Sequence, residues 1–213
     1  MKLAAVAAAL LAGSTVAALD LRTAILRPSQ VGKGYRLIAR SDGFGVRAAP
    51  TLDLCGKPSS YPSERLRVDR LQVDYRKRKT ALGLSNDVVR YRAGGAQQAL
   101  REVRRHAVGC PAHAIDTGLS GVGPLRFTIT MLRDAKLAKG YVAVRVRAVG
   151  RLVNGTRVDQ TSYAVYQRVG DVLSGVYSFG PNTRAQRLFA LHAAEASARI
   201  LRRLARSPKG PPA

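Results

Sequence analysis

Two hydrophobic periods take turns along the chain. Leu66 and Val68, then Leu71, Val73 and Tyr75, recur at every second position, with one extra residue between the two phases. A period of two marks a strand with one buried face, and the phase slip predicts a β-bulge near Asp69–Arg70. Thr80–Leu84 and Val88–Arg92 continue as a returning strand, and Tyr35–Arg40 is an earlier one, entered from Gly32 and Gly34. Further on, Leu125, Phe127, Ile129 and Met131 alternate with polar positions, and Val142, Val144 and Val146 alternate with Arg145 and Arg147. Asn154-Gly155 predicts a hairpin, because both residues tolerate positive φ. Gly170-Asp171 turns the chain into a last strand, Val172–Phe179.

The helical period is clearest at Ala96, Leu100, Val103, Ala107 and Cys110. These positions fall on one face of a helix over Gly95–Gly109, with Arg101, Arg104 and Arg105 off it. A second long helix follows Pro181-Asn182 and runs to about Arg206, its stripe made by Leu188, Leu191, Ala194, Ala198, Leu201 and Ala205. Asp20 caps a short opening helix, Leu21–Arg27, which Pro28 stops. Residues 41–64 read as a loop rich in Gly, Pro and Ser. The order of elements has no repeated βαβ rhythm, so the fold class is α+β. The expectation is a mainly antiparallel sheet of about six strands with two long helices covering one face, the other face wet.

The first residues change the picture of where this domain works. Met1 and Lys2 precede an apolar run, Leu3–Gly13, that is too short for the ~20 residues a membrane span requires. Thr15-Val16-Ala17-Ala18 then offers a cleavage site after Ala17 or Ala18. The chain divides into a signal peptide over 1–18, one domain over 19–206 and a disordered tail over 207–213. Leu10-Leu11-Ala12-Gly13-Ser14 has the form of a lipobox with Ser where the lipidated Cys belongs. The expected product is a secreted protein, extracellular or in the cell wall, with no stable membrane span. In an oxidising space Cys55 and Cys110 read most simply as one disulfide, worth roughly 4 kcal/mol on the chain-entropy model. The competing reading is a metal site, from the H-x3-C-x2-H spacing of His106, Cys110 and His113. Three ligands with no clear fourth fall short of a structural zinc set, so no metal is expected.

Charge narrows the class of partner. Lys and Arg number 36 against 13 Asp and Glu, a formal net charge of +23. The basic residues run from Arg22 to Lys209, and such a balance favours fast, salt-sensitive association with polyanions. Ala, Arg, Gly and Val usage of this kind also follows from a GC-rich genome, so part of the arginine excess is compositional. Arg199, Arg202, Arg203 and Arg206 share one helix face and form the candidate anion-binding set, since four guanidinium groups can grip phosphate or carboxylate in bidentate fashion. The alternative is a solvated face favoured by the C-terminal helix dipole.

Catalytic patterns are thin. There is no G-x-S-x-G, and Gly118-Leu119-Ser120-Gly121 misses the elbow spacing. His106 and His192 lie on helices among arginines. Asp69 and Asp74 share a strand region, but Arg67, Arg70 and Arg76 around them make surface ion pairing the better reading. Gly32-Lys33-Gly34 and Gly121-Val122-Gly123 lack the strand-then-helix context of a phosphate loop. No catalytic residue and no cofactor is expected.

Four stretches together resemble the PknH-like extracellular sensor domain family of actinobacteria. They are the Leu21–Leu26 helix running into Gly32-Lys33-Gly34-Tyr35; the loop cysteine Cys55; Val88-Val89-Arg90-Tyr91-Arg92 leading into the Ala96–Ala107 helix; and the end of that helix on Cys110. The resemblance implies an antiparallel sheet with helices and a surface cleft for a ligand. Members commonly carry a second disulfide, for which this sequence has no cysteines. The expected function is a secreted, non-enzymatic, sensor-like binding domain. Its partner would be a small ligand in a sheet–helix cleft or an anionic cell-envelope polymer. The alternatives are a basic binder of polyanions, including nucleic acid without sequence preference, and a hydrolase with an unrecognised site.

Overall fold

The computed structural model describes residues 20–42, 50–52, 54, 61–80, 82–110, 113–116, 120–133, 137, 140–180 and 183–206. The expected leader over 1–18, the tail over 207–213 and Cys55 lie outside the described residues. In chain order the elements are α1 (Leu21–Ala24), α2 (Pro28–Val31), β1 (Tyr35–Asp42), a 3₁₀ turn (Pro62–Leu66), β2 (Arg67–Lys77), β3 (Gly83–Tyr91), α3 (Gly95–Val108), β4 (Val122–Leu132), β5 (Val142–Leu152), β6 (Arg157–Val169), β7 (Val172–Gly180) and α4 (Arg184–Arg206).

One seven-stranded sheet runs β1-β2-β3-β7-β6-β5-β4, and every neighbouring pair is antiparallel. The α+β class holds, with seven strands in place of about six. The strand hardest to see in the sequence is β6, where Tyr163, Ala164, Val165 and Tyr166 are all buried. Burial on both faces removes the alternation that would announce it. The bulge expected near Asp69–Arg70 falls one step earlier, between Arg67 and Asp69. The opening helix is shorter than Leu21–Arg27. Asp20 Oδ1 accepts from Arg22 N at 2.9 Å to cap α1, and a separate turn, α2, begins at Pro28.

The larger correction concerns layers. The sheet is not wet on one side, and the two long helices do not share a face. Leu84 and Val88 of β3 and Val172 and Val176 of β7 belong to one apolar cluster with α1, α2 and the α4 residues Leu191, Ala194 and Leu201. Their neighbours Val89, Tyr91, Leu173 and Tyr177 belong to a second cluster with Ala96, Ala99, Leu100 and Val103 of α3. Successive side chains on a strand point to opposite faces, so α3 and α4 clamp the sheet from opposite sides. Sequence alternation is cleanest in β4 and β5, which do keep one open face. In β3 the apolar run is interrupted by buried Ser85, Asn86 and Asp87, which disguises a strand covered on both sides.

Polar pins fix α4 on the sheet. Gln167 Nε2 donates to the Ala194 carbonyl at 2.8 Å, Ser174 and Ser197 hydroxyls meet at 2.8 Å, and Gln186 Nε2 donates to the Thr161 carbonyl at 3.0 Å. The helix buries a face of small residues, Ala190, Ala193, Ala194, Ser197 and Ala198, which lets it lie close over β6 and β7. Leu188, expected in the buried stripe, is 55% exposed. On α3 the expected face does turn inward, with Ala96, Leu100, Val103 and Ala107 buried.

Candidate functional site

Because α4 covers β6 and β7, the β4–β5 end of the same sheet face stays open. Strand pairing assembles a basic surface there. Arg126 of β4 lies opposite Val149, Thr128 opposite Arg147, and Thr130 opposite Arg145. Across the other side of β5, Arg151 pairs with Arg157 and Val149 with Asp159 of β6. Arg126, Arg145, Arg147, Arg151 and Arg157 thus share one face with Thr128 and Thr130 between them, and all but half-buried Arg145 are exposed. The sequence pattern already put Arg145 and Arg147 opposite the apolar side of β5. It did not join them to Arg126 and Arg157, because register between strands is a tertiary fact.

Asp159 is the carboxylate of this face among the described residues. It accepts from Arg147 Nε at 2.8 Å and from Arg147 Nη2 at 2.6 Å, and Arg157 approaches to 3.6 Å. The Arg147 hydrogen bonds hold the Asp159 carboxyl below the usual carboxylate range. Arg151 Nη1 is steadied by the Gly155 carbonyl at 2.9 Å. At the end of the face, Gly123, Pro124, Val149, Gly150, Arg151, Leu152 and Arg157 line an open cleft of about 620 Å³. Arginines spread around one carboxylate leave positive charge uncompensated. Such an array attracts phosphate or carboxylate groups through charge-assisted hydrogen bonds.

The α4 arginines are differently placed. Arg199, Arg203 and Arg206 are exposed and Arg202 is half-buried. Glu195, one turn earlier, reaches Arg199 at 3.9 Å. They therefore form a solvated stripe with an internal counter-charge, apart from the sheet array.

The candidate chemistry surveyed in the sequence is dispersed. Asp69 pairs with Arg90 at 3.5 Å on the α4 side of β2. Asp74 lies opposite Ser85, on the α3 side, so the two carboxylates cannot flank one cleft. His106 packs against Tyr61 with the rings tilted by 33° and their centroids 4.5 Å apart, and His113 and His192 are exposed. Cys110 is not a free thiol. Tyr166 and Tyr177 meet edge to face at 5.5 Å, which is core packing.

A polar cluster that sequence reasoning missed lies on the α3 side of β2 and β3. Arg70 and Asp87 are both buried, and Arg70 Nη2 and Nε donate to the Asp87 carboxylate at 2.7 and 2.9 Å. Arg70 also donates to the Gln72 side chain at 2.9 Å and to the Pro50 carbonyl at 3.3 Å. Burial pushes the Asp87 carboxyl up, and the adjoining guanidinium pulls the other way. Next to it, Glu64 binds Thr51 and pairs with Arg67 at 3.2 Å. Each charge has a partner, which makes this a structural lock that ties residues 50–52 to the sheet. Isolated acidic or basic residues on a strand give no sign of such pairing.

No family model matches the chain, and no curated protein matches it. Among solved structures, the chain is similar to the extracellular domain of PknH from Mycobacterium tuberculosis, with a TM-score of 0.56 and 10% identity over 84% of this chain and 94% of that one. At that identity the likeness is one of fold. Among the described residues no helix is long and apolar enough to cross a membrane.

Proposed function

We propose that this chain is a secreted, non-enzymatic, sensor-like binding domain whose ligand is an anionic cell-envelope polymer held on the open face of β4, β5 and β6. The observation that carries the reading is the shared face of Arg126, Arg145, Arg147, Arg151 and Arg157. A fold like that of an extracellular sensor domain supports it. A polymer suits the site better than a small molecule, because the arginines line an exposed sheet and an open cleft rather than an enclosed cavity. The Arg199, Arg202, Arg203 and Arg206 stripe adds to the field that draws the polymer in and is secondary in grip. A Cys55–Cys110 bridge and export belong to the same proposal.

The test uses inorganic polyphosphate as probe, with single-stranded DNA as a second arm, titrated at several salt concentrations. Arg145→Glu with Arg151→Glu should weaken polyphosphate binding by about ten- to a hundredfold at low salt, the scale of two lost charge-assisted contacts. Asp159→Asn should tighten it, since Arg147 is then released. The log of the affinity should fall steeply and linearly with log salt. Equal binding by the sheet variant, or a greater loss from Arg199→Glu with Arg203→Glu, would sink the assignment. Tighter binding of DNA than of polyphosphate would replace the envelope polymer with nucleic acid.

A further inference from the structure

We infer that the outer edge of β4 is a second binding site, which takes an extended peptide of alternating acidic and apolar residues as an added strand. The site lies on the strand edge rather than on the sheet face; it borders the polymer face at Arg126, and its main-chain hydrogen bonds do not depend on that reading.

The two edges of the sheet are β1 and β4, and they are protected unequally. β1 is broken by a bulge between Leu37 and Ala39 and carries Arg36 and Arg40. Bulges and charges are the usual means of keeping an edge from pairing. β4, by contrast, pairs with β5 without interruption from Leu125 to Leu132 and has Arg126 as its one charge over that stretch.

The direction of the free backbone groups follows from one contact. Ile115 N donates to the Leu125 carbonyl at 2.8 Å and Leu125 N donates to the Ile115 carbonyl at 2.9 Å, on the side away from β5. Backbone groups alternate along a strand, so the N–H and C=O groups of Phe127, Ile129 and Met131 also point outward. Past Ile115, none of the described residues pairs with them. Beside this open stretch lies a groove of about 330 Å³, lined by Ala107, Val108 and Cys110 at the end of α3 and by Arg126, Phe127, Thr128 and Ile129 along β4; Phe127 and Ile129 belong with α3 to the second apolar cluster. Val108 is 75% exposed and Met131 41%.

An added strand has two rows of side chains. One row would enter the groove against Val108, Phe127 and Ile129, and so must be apolar. The other would lie beside Arg126, Thr128 and Thr130, with Arg145 and Arg147 one strand further in, roughly 10 Å away. That row meets uncompensated positive charge and so must be acidic. A second copy of this chain fits poorly, because edge-to-edge pairing brings together two molecules that each carry a net charge of +23. Strand addition of this kind takes affinity from main-chain hydrogen bonds and specificity from alternate side chains.

The probe is an end-blocked peptide of alternating Glu and Val, about eight residues long. The comparison is a peptide of the same composition in two blocks. Amide hydrogen exchange on the full chain should slow at Phe127, Ile129 and Met131 with the alternating peptide alone. Met131→Pro removes one outward N–H at a position where edge strands tolerate proline, and should weaken binding about tenfold or more while leaving the melting temperature near that of the parent. Val108→Glu, at an exposed helix end, should weaken it as well. Equal protection by the block peptide, protection elsewhere in the chain, or indifference to both variants overturns the inference. So does protection of the same amides without peptide in a concentration-dependent dimer, which would give the edge to a second copy.

Discussion

Asp159 and Asp87 show how the same side chain acquires different roles from its surroundings. Asp159 is exposed and held in its charged form by Arg147. Its folded pKa lies below the unfolded value, so its contribution to stability is present above roughly pH 4 and is lost as the pH falls through the folded value. Solvent screens an exposed pair, and the contribution is small. The Asp159→Asn variant should therefore lose a shallow acid-side step in its stability profile while binding polyphosphate more tightly. Asp87 is buried against Arg70. Removing one partner of a buried pair strands the other charge, at a cost of about 3–5 kcal/mol. Arg70→Met should show that loss in urea denaturation, and Arg70→Met combined with Asp87→Leu should recover most of it. If the double variant is as unstable as the single one, the network with Gln72 and Pro50, rather than the stranded charge, carries the cost.

At the scale of elements, the β4–β5 pair positions the arginines, and one glycine permits it. Gly150 lies opposite Leu125. A Cβ added there would sit 2.6 Å from the Pro124 carbonyl oxygen and 2.6 Å from Leu125 Cδ2. Backbone cannot yield as a flexible side chain can, so Gly150→Ala should cost about 1–3 kcal/mol, a fall of roughly 3–10 °C in melting temperature for a domain of this size. Calorimetry checks the prediction, and an unchanged transition would mean that the two strands can part locally without loss. The helices were the elements best read from sequence. The inward face of α3 appears at the expected spacing, because a helix docked through one stripe must repeat every three or four residues. In α4 Leu191, Ala194, Ala198 and Leu201 of the expected stripe are buried and Leu188 departs from it, since the sheet takes Ala190, Ala193 and Ser197 beside them. Close approach of a helix to a sheet rewards small side chains, and hydrophobicity alone does not reveal that.

For the whole molecule, covalent architecture is directly measurable. Cys110 follows the inward face of α3 and packs against the second apolar cluster, and the sequence holds one other cysteine, Cys55. Peptide mapping without reduction should recover Cys55 and Cys110 in one linked pair. Reduction, or Cys110→Ala, should lower stability by up to about 4 kcal/mol. Two free thiols in the purified protein would remove the bridge from the proposal. Net charge belongs to the same scale. A molecule at +23 repels itself, so polyanions that bind the native state should also raise its melting temperature.

What the sequence by itself determined is local. Periods of two and three to four place most of the elements, Asp20 supplies a cap, Asn154-Gly155 and Gly170-Asp171 make turns, and the arginine excess names the sign of the partner. The tertiary structure decided everything that depends on which strand lies beside which. It set α3 and α4 on opposite faces, buried Arg70 with Asp87, brought arginines from three strands onto one surface, and made β4 an edge that Ile115 alone among the described residues pairs with. The physical reason is that a side chain's period reports how its own segment meets its environment. Register and layer order arise from contacts between segments far apart in the chain, and no single segment carries them.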